Sequence, residues 1–303
     1  MDFILQTKEV SKDFSGKLAV DHVSISVKKG DIYGFIGENG AGKTTLMRMI
    51  CGLASPTNGE ITLFGNRDLV SQRHKIGCSI ENPALFPDMT AAENLETQRL
   101  LLGIKDKKVC MEILELIGLD DTGKMKTRNF SLGMKQRLMI GLALLGNPEF
   151  LVLDEPTNGL DPMGIRDVRD FLKYLNEEKG LTIFVSSHIL GELEKIATRY
   201  GVISKGKLID EFHADELAAR CGEALTIHVS DIQKAETVLR GMFPEMCCTR
   251  TSEDSFQIKG YVEQAGQINK SLVEAGITVN ALIPEGDSLE NYMLNLMGGK
   301  VDA

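Results

Sequence analysis

The 303-residue chain has no surplus of positive charge: 34 basic residues stand against 43 acidic ones, a formal net charge of −9. A general nucleic-acid binder usually carries a basic surplus, so that class is excluded first. Long apolar runs are absent too. The longest, Leu138 to Gly146, is nine residues counting its glycines, against the ~20 that a membrane-spanning helix needs. The N-terminal stretch MDFILQTKEV is too short in its apolar part and too acidic for a signal peptide. The six cysteines (Cys51, Cys78, Cys110, Cys221, Cys247 and Cys248) form no CxxC pair. Reduced thiols of a cytosolic protein are expected, with Cys247 and Cys248 as packing residues. No internal repeat or low-complexity segment is present.

The charge is unevenly spread. Residues 1–213 hold 27 basic and 29 acidic residues, whereas 214–303 hold 7 and 14. With a soft expectation of about 150 residues per domain, this suggests two domains, 1–213 and 214–303. In the first, 3–11 and 22–28 alternate apolar and polar residues and predict two strands of a half-exposed antiparallel sheet. From 32 onward strands and helices alternate. Strands are expected at 32–36, 59–64, 150–153 and 181–186, and helices at 43–51, 91–102, 107–117, 131–145, 167–178 and 190–197. A hairpin follows at 201–210. That alternation predicts a mainly parallel sheet covered by helices on both faces. The tail reads strand 224–229, helix 232–241, strands 246–250 and 255–260, helix 262–275 and strand 277–283. This is the βαββαβ order of a ferredoxin-like fold, with a last helix expected at 288–297.

Two motifs carry chemistry. Gly37-Glu38-Asn39-Gly40-Ala41-Gly42-Lys43-Thr44 matches GxxxxGK[ST] between a strand and a helix. Its glycines let backbone N–H groups approach phosphates, and the helix N-terminus adds positive potential. Lys43 is a point charge for the β- and γ-phosphates, and Thr44 offers a hydroxyl to Mg²⁺. The second motif is the apolar strand 150–153 ending in Asp154 and Glu155. Ligands of open α/β sheets bind at the carboxyl ends of strands. Asp154 is therefore a candidate Mg²⁺ holder, and Glu155 a candidate general base for the attacking water.

The segment between these motifs narrows the class. Asn129-Phe130-Ser131-Leu132-Gly133-Met134-Lys135-Gln136-Arg137 resembles the LSGGQ signature of ATP-binding cassette proteins, with Ser131, Gly133, Gln136 and Arg137 matching. Gly159-Leu160-Asp161-Pro162 resembles the family's D-loop, and Val185-Ser186-Ser187-His188 its switch histidine. Phe14 sits where the family stacks an aromatic on adenine. The resemblance implies an α/β P-loop NTPase cassette with a RecA-like core, an antiparallel β subdomain and a helical subdomain at about 85–147, followed by the small α+β domain. It also implies ATP and Mg²⁺ as cofactors. Gly37 to Thr45, with Phe14, would contact nucleotide, and His188 would touch the γ-phosphate. Ser131, Gly133 and Asp161 would face the nucleotide of a second subunit in a head-to-tail homodimer.

Two positions depart from the family pattern. Leu132 and Met134 stand where Gly and Gln are usual, so this side of the site depends more on Ser131 and backbone N–H groups. Glu81, in Ile80-Glu81-Asn82-Pro83, occupies the Q-loop position and puts an anion near Mg²⁺; it can ligate metal or water but cannot donate a hydrogen bond. IENPALFPDMTAAENL, SLGMKQRL and the terminal SLENYMLNLMGG resemble the ATPase subunits of bacitracin- and lantibiotic-type exporters, which give producers and their resistant relatives protection against peptide antibiotics. An integral membrane permease is the implied partner, and the cytoplasmic face of the cell membrane the implied location. Leu85, Phe86, Pro87 and Met89 either receive that permease or pack the helical subdomain. Export of another substrate, such as a drug or ion, stays open, as does a non-transport cassette ATPase. In the tail, an acidic solvated surface and a regulatory or dimer-stabilising domain are both open, and Tyr261, Tyr292 and Met293 could serve either core or interface.

Overall fold

The structure is a computed structural model that describes residues 3–81, 85–216, 223–243, 246, 248–252 and 254–286. It divides into two compact units, 1–214 and 215–303.

The first unit opens with a long strand, β1 (Phe3–Phe14), followed by β2 (Lys17–Val23) and β3 (Ser26–Lys28). Both pair antiparallel with β1, and β5 (Asn58–Leu63) also pairs with it. The single strand expected at 22–28 is thus two strands. Thr7 causes the break: its hydroxyl donates to the Val23 carbonyl at 3.0 Å and accepts from the Ile25 N–H at 2.9 Å, standing in for ladder bonds. The β1–β2 connection is the two-residue turn Ser15-Gly16, with φ 53° and 92°. That left-handed pair matches the natural strand twist of a hairpin, and it places Phe14 at the hairpin tip.

The second sheet is built from β4 (Ile32–Ile36), β6 (Ile76–Ser79), β7 (Phe150–Asp154), β8 (Thr182–Ser187), β9 (Arg199–Ser204) and β10 (Lys207–His213), in the order β10-β9-β4-β8-β7-β6. All neighbours are parallel except β9 and β10. Every residue of β4 and β8 is buried, as expected for a sheet covered on both faces. Strand β6 was not anticipated, because Ile-Gly-Cys-Ser is short and Gly77 weakens the strand pattern. The glycine is there for packing: a Cβ at Gly77 would meet the Ala143 carbonyl oxygen at 2.1 Å.

The helices of this unit are α1 (Lys43–Cys51), α2 (Leu69–Gln72), α3 (Ala91–Leu101), α4 (Lys108–Leu116), α5 (Leu132–Leu144), α6 (Pro162–Glu177) and α7 (Leu190–Leu193). Thr90 and Glu93 close a reciprocal capping box at the start of α3. Helix α6 starts five residues earlier than the periodicity suggested. Asp161 accepts the Gly164 N–H at 3.0 Å and Pro162 is the first helical residue, a start signal that outweighs apolar spacing. Helix α7 is shorter than expected; the Tyr200 hydroxyl donates towards the Leu193 and Glu194 carbonyls at its end. No helix among the described residues is long and apolar enough to cross a membrane.

The second unit contains β11 (Glu223–Val229), α8 (Ile232–Met242), β12 (Cys248–Arg250), β13 (Ser255–Lys259), α9 (Ala265–Glu274) and β14 (Val279–Gly286). Its sheet runs β12-β13-β11-β14, all antiparallel, so the split βαββαβ order is observed. Leu225, Ile227, Leu239, Phe256, Ile258, Ile268 and Leu272 form its core. Tyr261 packs against Phe243 with ring centroids 4.8 Å apart, which makes it a packing residue. The helix expected at 288–297, with Tyr292 and Met293, and also Cys221 and Cys247 lie outside the described residues.

Candidate functional site

The carboxyl ends of β4, β7 and β8 meet at one point. Strand β4 leads into the loop Gly37–Gly42, and α1 starts at Lys43. Gly42 has φ 110°, and a Cβ there would meet the Ala19 carbonyl oxygen at 2.4 Å. Only glycine meets both conditions, which explains the last glycine of the motif. Glu38, Asn39 and Gly40 are exposed, Ala41 is buried and Thr45 half-buried. The loop therefore presents an open rim above a fixed base.

Lys43 is 4% exposed. Its ammonium donates to the Gly37 carbonyl at 2.6 Å and the Glu38 carbonyl at 3.2 Å, and pairs with Glu155 Oε1 at 3.1 Å. The other Glu155 oxygen, Oε2, lies 2.9 Å from His188 Nδ1. Glu155 is thereby held between a lysine from α1 and a histidine that follows β8. Its backbone is left-handed, φ 47°, a strain that costs roughly 1–3 kcal/mol and persists where surroundings impose it.

Asp154 is held just as closely. The Thr44 hydroxyl donates to Oδ2 at 2.7 Å, and the Ser186 hydroxyl donates to Oδ1 at 2.6 Å. Ser186 also accepts the Glu155 N–H at 3.0 Å. Reading the sequence identified Ser186 only as part of the histidine motif and missed that it ties both acids together. The signal was its position: Asp154 and Ser186 are register partners on β7 and β8.

Glu81 adjoins this site. It lines a cleft of about 330 Å³ with Thr44, Asp154, Glu155, Leu132, Gln136 and Asn158. It too has a left-handed backbone, φ 58°, and its Oε2 pairs with Arg48 of α1 at 2.7 Å. Neither Arg48 nor the lining residues Gln136 and Asn158 were singled out from sequence as site residues.

The remaining sequence candidates gather elsewhere. Ser131, Gly133 and Asp161 line a second cleft of about 380 Å³, with Leu160, Met163 and Arg137. No residue of the phosphate loop lines it. Ser131 caps α5, its hydroxyl accepting the Met134 N–H at 3.2 Å. Asp161 caps α6, so two helix N-termini open on this one surface. Phe14 belongs to neither cleft. It is 53% exposed at the hairpin tip, with the Lys12 ammonium 5.1 Å from its ring centroid.

The donors around Thr44 and Asp154 are hard oxygens, a hydroxyl and a carboxylate 2.7 Å apart. That chemistry fits Mg²⁺, which takes one or two protein oxygens and completes its shell with water and phosphate.

Comparison with known proteins agrees with this arrangement. The family model described as ABC transporter matches residues 20–158. The bacitracin transport ATP-binding protein BcrA of Bacillus licheniformis is 41% identical over 302 residues, covering 99% of each chain. The lantibiotic transport ATP-binding protein SrtF of Streptococcus pyogenes is 39% identical over 212 residues, covering 70% of this chain and 92% of its own. Among solved structures, the ADP conformation of an ATP-binding cassette of an ABC transporter superimposes with TM-score 0.65 at 28% identity, covering 72% of this chain and 95% of the other. A dimeric cassette in a post-hydrolysis state with ADP and phosphate gives TM-score 0.61 at 28% identity, covering 69% and 98%. The chain therefore belongs to the ABC transporter family, as an ATP-binding, ATP-hydrolysing subunit resembling those of the bacitracin and lantibiotic transport branch.

Proposed function

We propose that this subunit powers export of bacitracin- or lantibiotic-like antimicrobial peptides through a separate membrane permease, working at the cytoplasmic face of the cell membrane and conferring immunity or resistance. Residues 1–213 are the engine, with 85–147 as its helical subdomain, and 214–303 an accessory domain. One observation carries the catalytic part of this reading: Thr44 bonds Asp154, Lys43 and His188 bond Glu155, and the Ser186 hydroxyl ties the two groups together.

Each residue has a distinct task. Backbone N–H groups from Gly37 to Thr45 cradle the phosphates, and Phe14 stacks on adenine. Lys43 turns its ammonium from Glu155 and the loop carbonyls to the β- and γ-phosphates. That exchange frees the Glu155 carboxylate to accept a proton from the attacking water. His188, already bonded to Glu155, orients the water and the γ-phosphate. Thr44 and Asp154 would hold Mg²⁺, with Glu81 able to contribute an oxygen directly or through water; when bound, the ion would supply charge neutralisation for the phosphates.

Ser131, Gly133 and Asp161 serve a second subunit. Their cleft contains no phosphate-loop residue, so its two helix N-termini become useful when a head-to-tail partner presents ATP to them. Leu132 and Met163, 46% and 72% exposed, are apolar surface that such pairing would cover.

The permease contact lies beyond Glu81. Phe86, 45% exposed, lines a largely apolar cleft of about 710 Å³ with Leu101, Leu102 and Ile104. A helical segment of the permease would fit that groove, with Leu85, Pro87 and Met89 beside it. Met89 faces inward in part, its sulfur accepting the Thr97 hydroxyl.

The test is expression with the candidate permease in a peptide-sensitive bacterium. Increased bacitracin or lantibiotic resistance that Lys43→Ala abolishes is the expected outcome. Unchanged peptide sensitivity, with ATPase activity stimulated instead by an unrelated drug or ion in reconstituted vesicles, would favour the exporter of another substrate.

A further inference from the structure

Three carboxylates line or border one cleft: Asp154, Glu155 and Glu81. Two are compensated from within the site, Asp154 by the Thr44 and Ser186 hydroxyls and Glu155 by Lys43 and His188. Glu81 is paired from a different place. Its partner is Arg48, four residues after Thr44 and so on the same face of α1. Its guanidinium meets Glu81 Oε2 at 2.7 Å, with the two side chains 42% and 57% exposed. Glu81 therefore sits between two claims on its carboxylate, Arg48 at the rim and the Thr44–Asp154 oxygens inside.

We propose that Arg48 is a positioning residue for Glu81: the Arg48–Glu81 ion pair holds the carboxylate at the rim and sets how strongly the cleft attracts a divalent cation. This rests on the proposed assignment of Thr44 and Asp154 to Mg²⁺. With the pair intact, the cation meets a cleft in which the charge of Glu81 is already compensated by Arg48, as that of Glu155 is by Lys43. With Arg48 removed, Glu81 is an uncompensated anion beside the same oxygens, so cation binding tightens. The left-handed backbone at Glu81 (φ 58°) sets the direction in which its side chain leaves the chain, beside both Arg48 and the cleft. The pair is exposed and geometrically close, and such pairs support effects of about two- to fivefold.

The experiment is a Mn²⁺ titration, followed by electron paramagnetic resonance, of the full chain with a non-hydrolysable ATP analogue. Arg48→Met should tighten Mn²⁺ binding about two- to fivefold in the wild-type background and leave it unchanged in a Glu81→Gln background. Equal affinities for wild type and Arg48→Met, or an Arg48→Met effect that persists with Glu81→Gln, would overturn the proposal. Analogue binding without metal is measured in parallel; its absence in wild type would overturn the nucleotide assignment instead. A urea-unfolding double-mutant cycle on the same four proteins needs neither nucleotide nor metal. Zero coupling energy between positions 48 and 81 would refute the pair by itself.

Discussion

Ser186→Ala is the perturbation that the site geometry makes most informative. The side chain is 0% exposed and lines neither cleft itself, so its removal acts through the two cleft-lining acids that it bonds, Asp154 and Glu155. Two bonds are lost: the 2.6 Å hydroxyl donation to Asp154 Oδ1 and the 3.0 Å acceptance of the Glu155 N–H. A hydrogen bond to a charged group contributes roughly 1.5–3 kcal/mol, and an unpaired buried N–H costs roughly 1–3 kcal/mol. Asp154 keeps its Thr44 bond, and Glu155 keeps Lys43 and His188, so part of the loss is recovered. An overall destabilisation of about 2–4 kcal/mol is expected for the nucleotide-free protein. At about 2–4 °C per kcal/mol for a unit of this size, the melting temperature should fall by roughly 4–16 °C. The two acids would also lose their fixed spacing, so kcat for phosphate release should drop at least tenfold while ATP-analogue affinity, which the proposed function assigns to Lys43 and the loop, changes little. Thermal unfolding and phosphate release on one preparation measure both. A melting temperature within 1 °C of wild type together with an unchanged kcat would refute the role given to Ser186.

Two further outcomes follow from the rest of the molecule. The adjoining Cys51 thiol holds Cys78 below the ordinary thiol range, and Cys78 together with burial pushes Cys51 well above it; burial raises Cys110. Among these three, Cys78 should react first with iodoacetamide near neutral pH, which peptide mass mapping will resolve, and labelling of Cys110 before Cys78 would contradict the thiol pairing. Glu93 is held below the usual carboxylate range by the Thr90 N–H and then by Lys126. A depressed carboxyl contributes stability that is present above its unfolded pKa and is lost as pH falls through the folded value. Amide-exchange protection in α3 should therefore fall below about pH 4 more steeply in wild type than in Glu93→Gln; equal acid profiles would argue against the capping box.

Much of this architecture can be read from the chain because its chemistry is local. The phosphate loop needs glycines at fixed spacing, and the Asp154–Glu155 pair ends an apolar strand, so both are visible without a fold. The parallel sheet and the βαββαβ tail follow from periodicity in the same way. What escaped the sequence was nonlocal. Strand β6 is too short to announce itself, and its glycine answers to a carbonyl on α5. The break between β2 and β3 comes from a threonine more than fifteen residues away. Ser186 and Arg48 each act through a partner more than thirty residues away, so neither has a local pattern to betray it. The early start of α6 was legible in Asp161-Pro162, but helix periodicity drew the boundary at the first apolar repeat instead.

The central claim is that Glu155 activates water in a site completed by a second copy. The direct measurement is the solution mass of the Glu155→Gln protein with ATP and Mg²⁺, by light scattering on size-exclusion chromatography, paired with single-turnover hydrolysis. The expected result is a dimer of about twice 33.3 kDa that retains ATP, while the same protein with ADP is monomeric. A variant that hydrolyses ATP at the wild-type rate, or stays monomeric at high concentration with ATP bound, would contradict it.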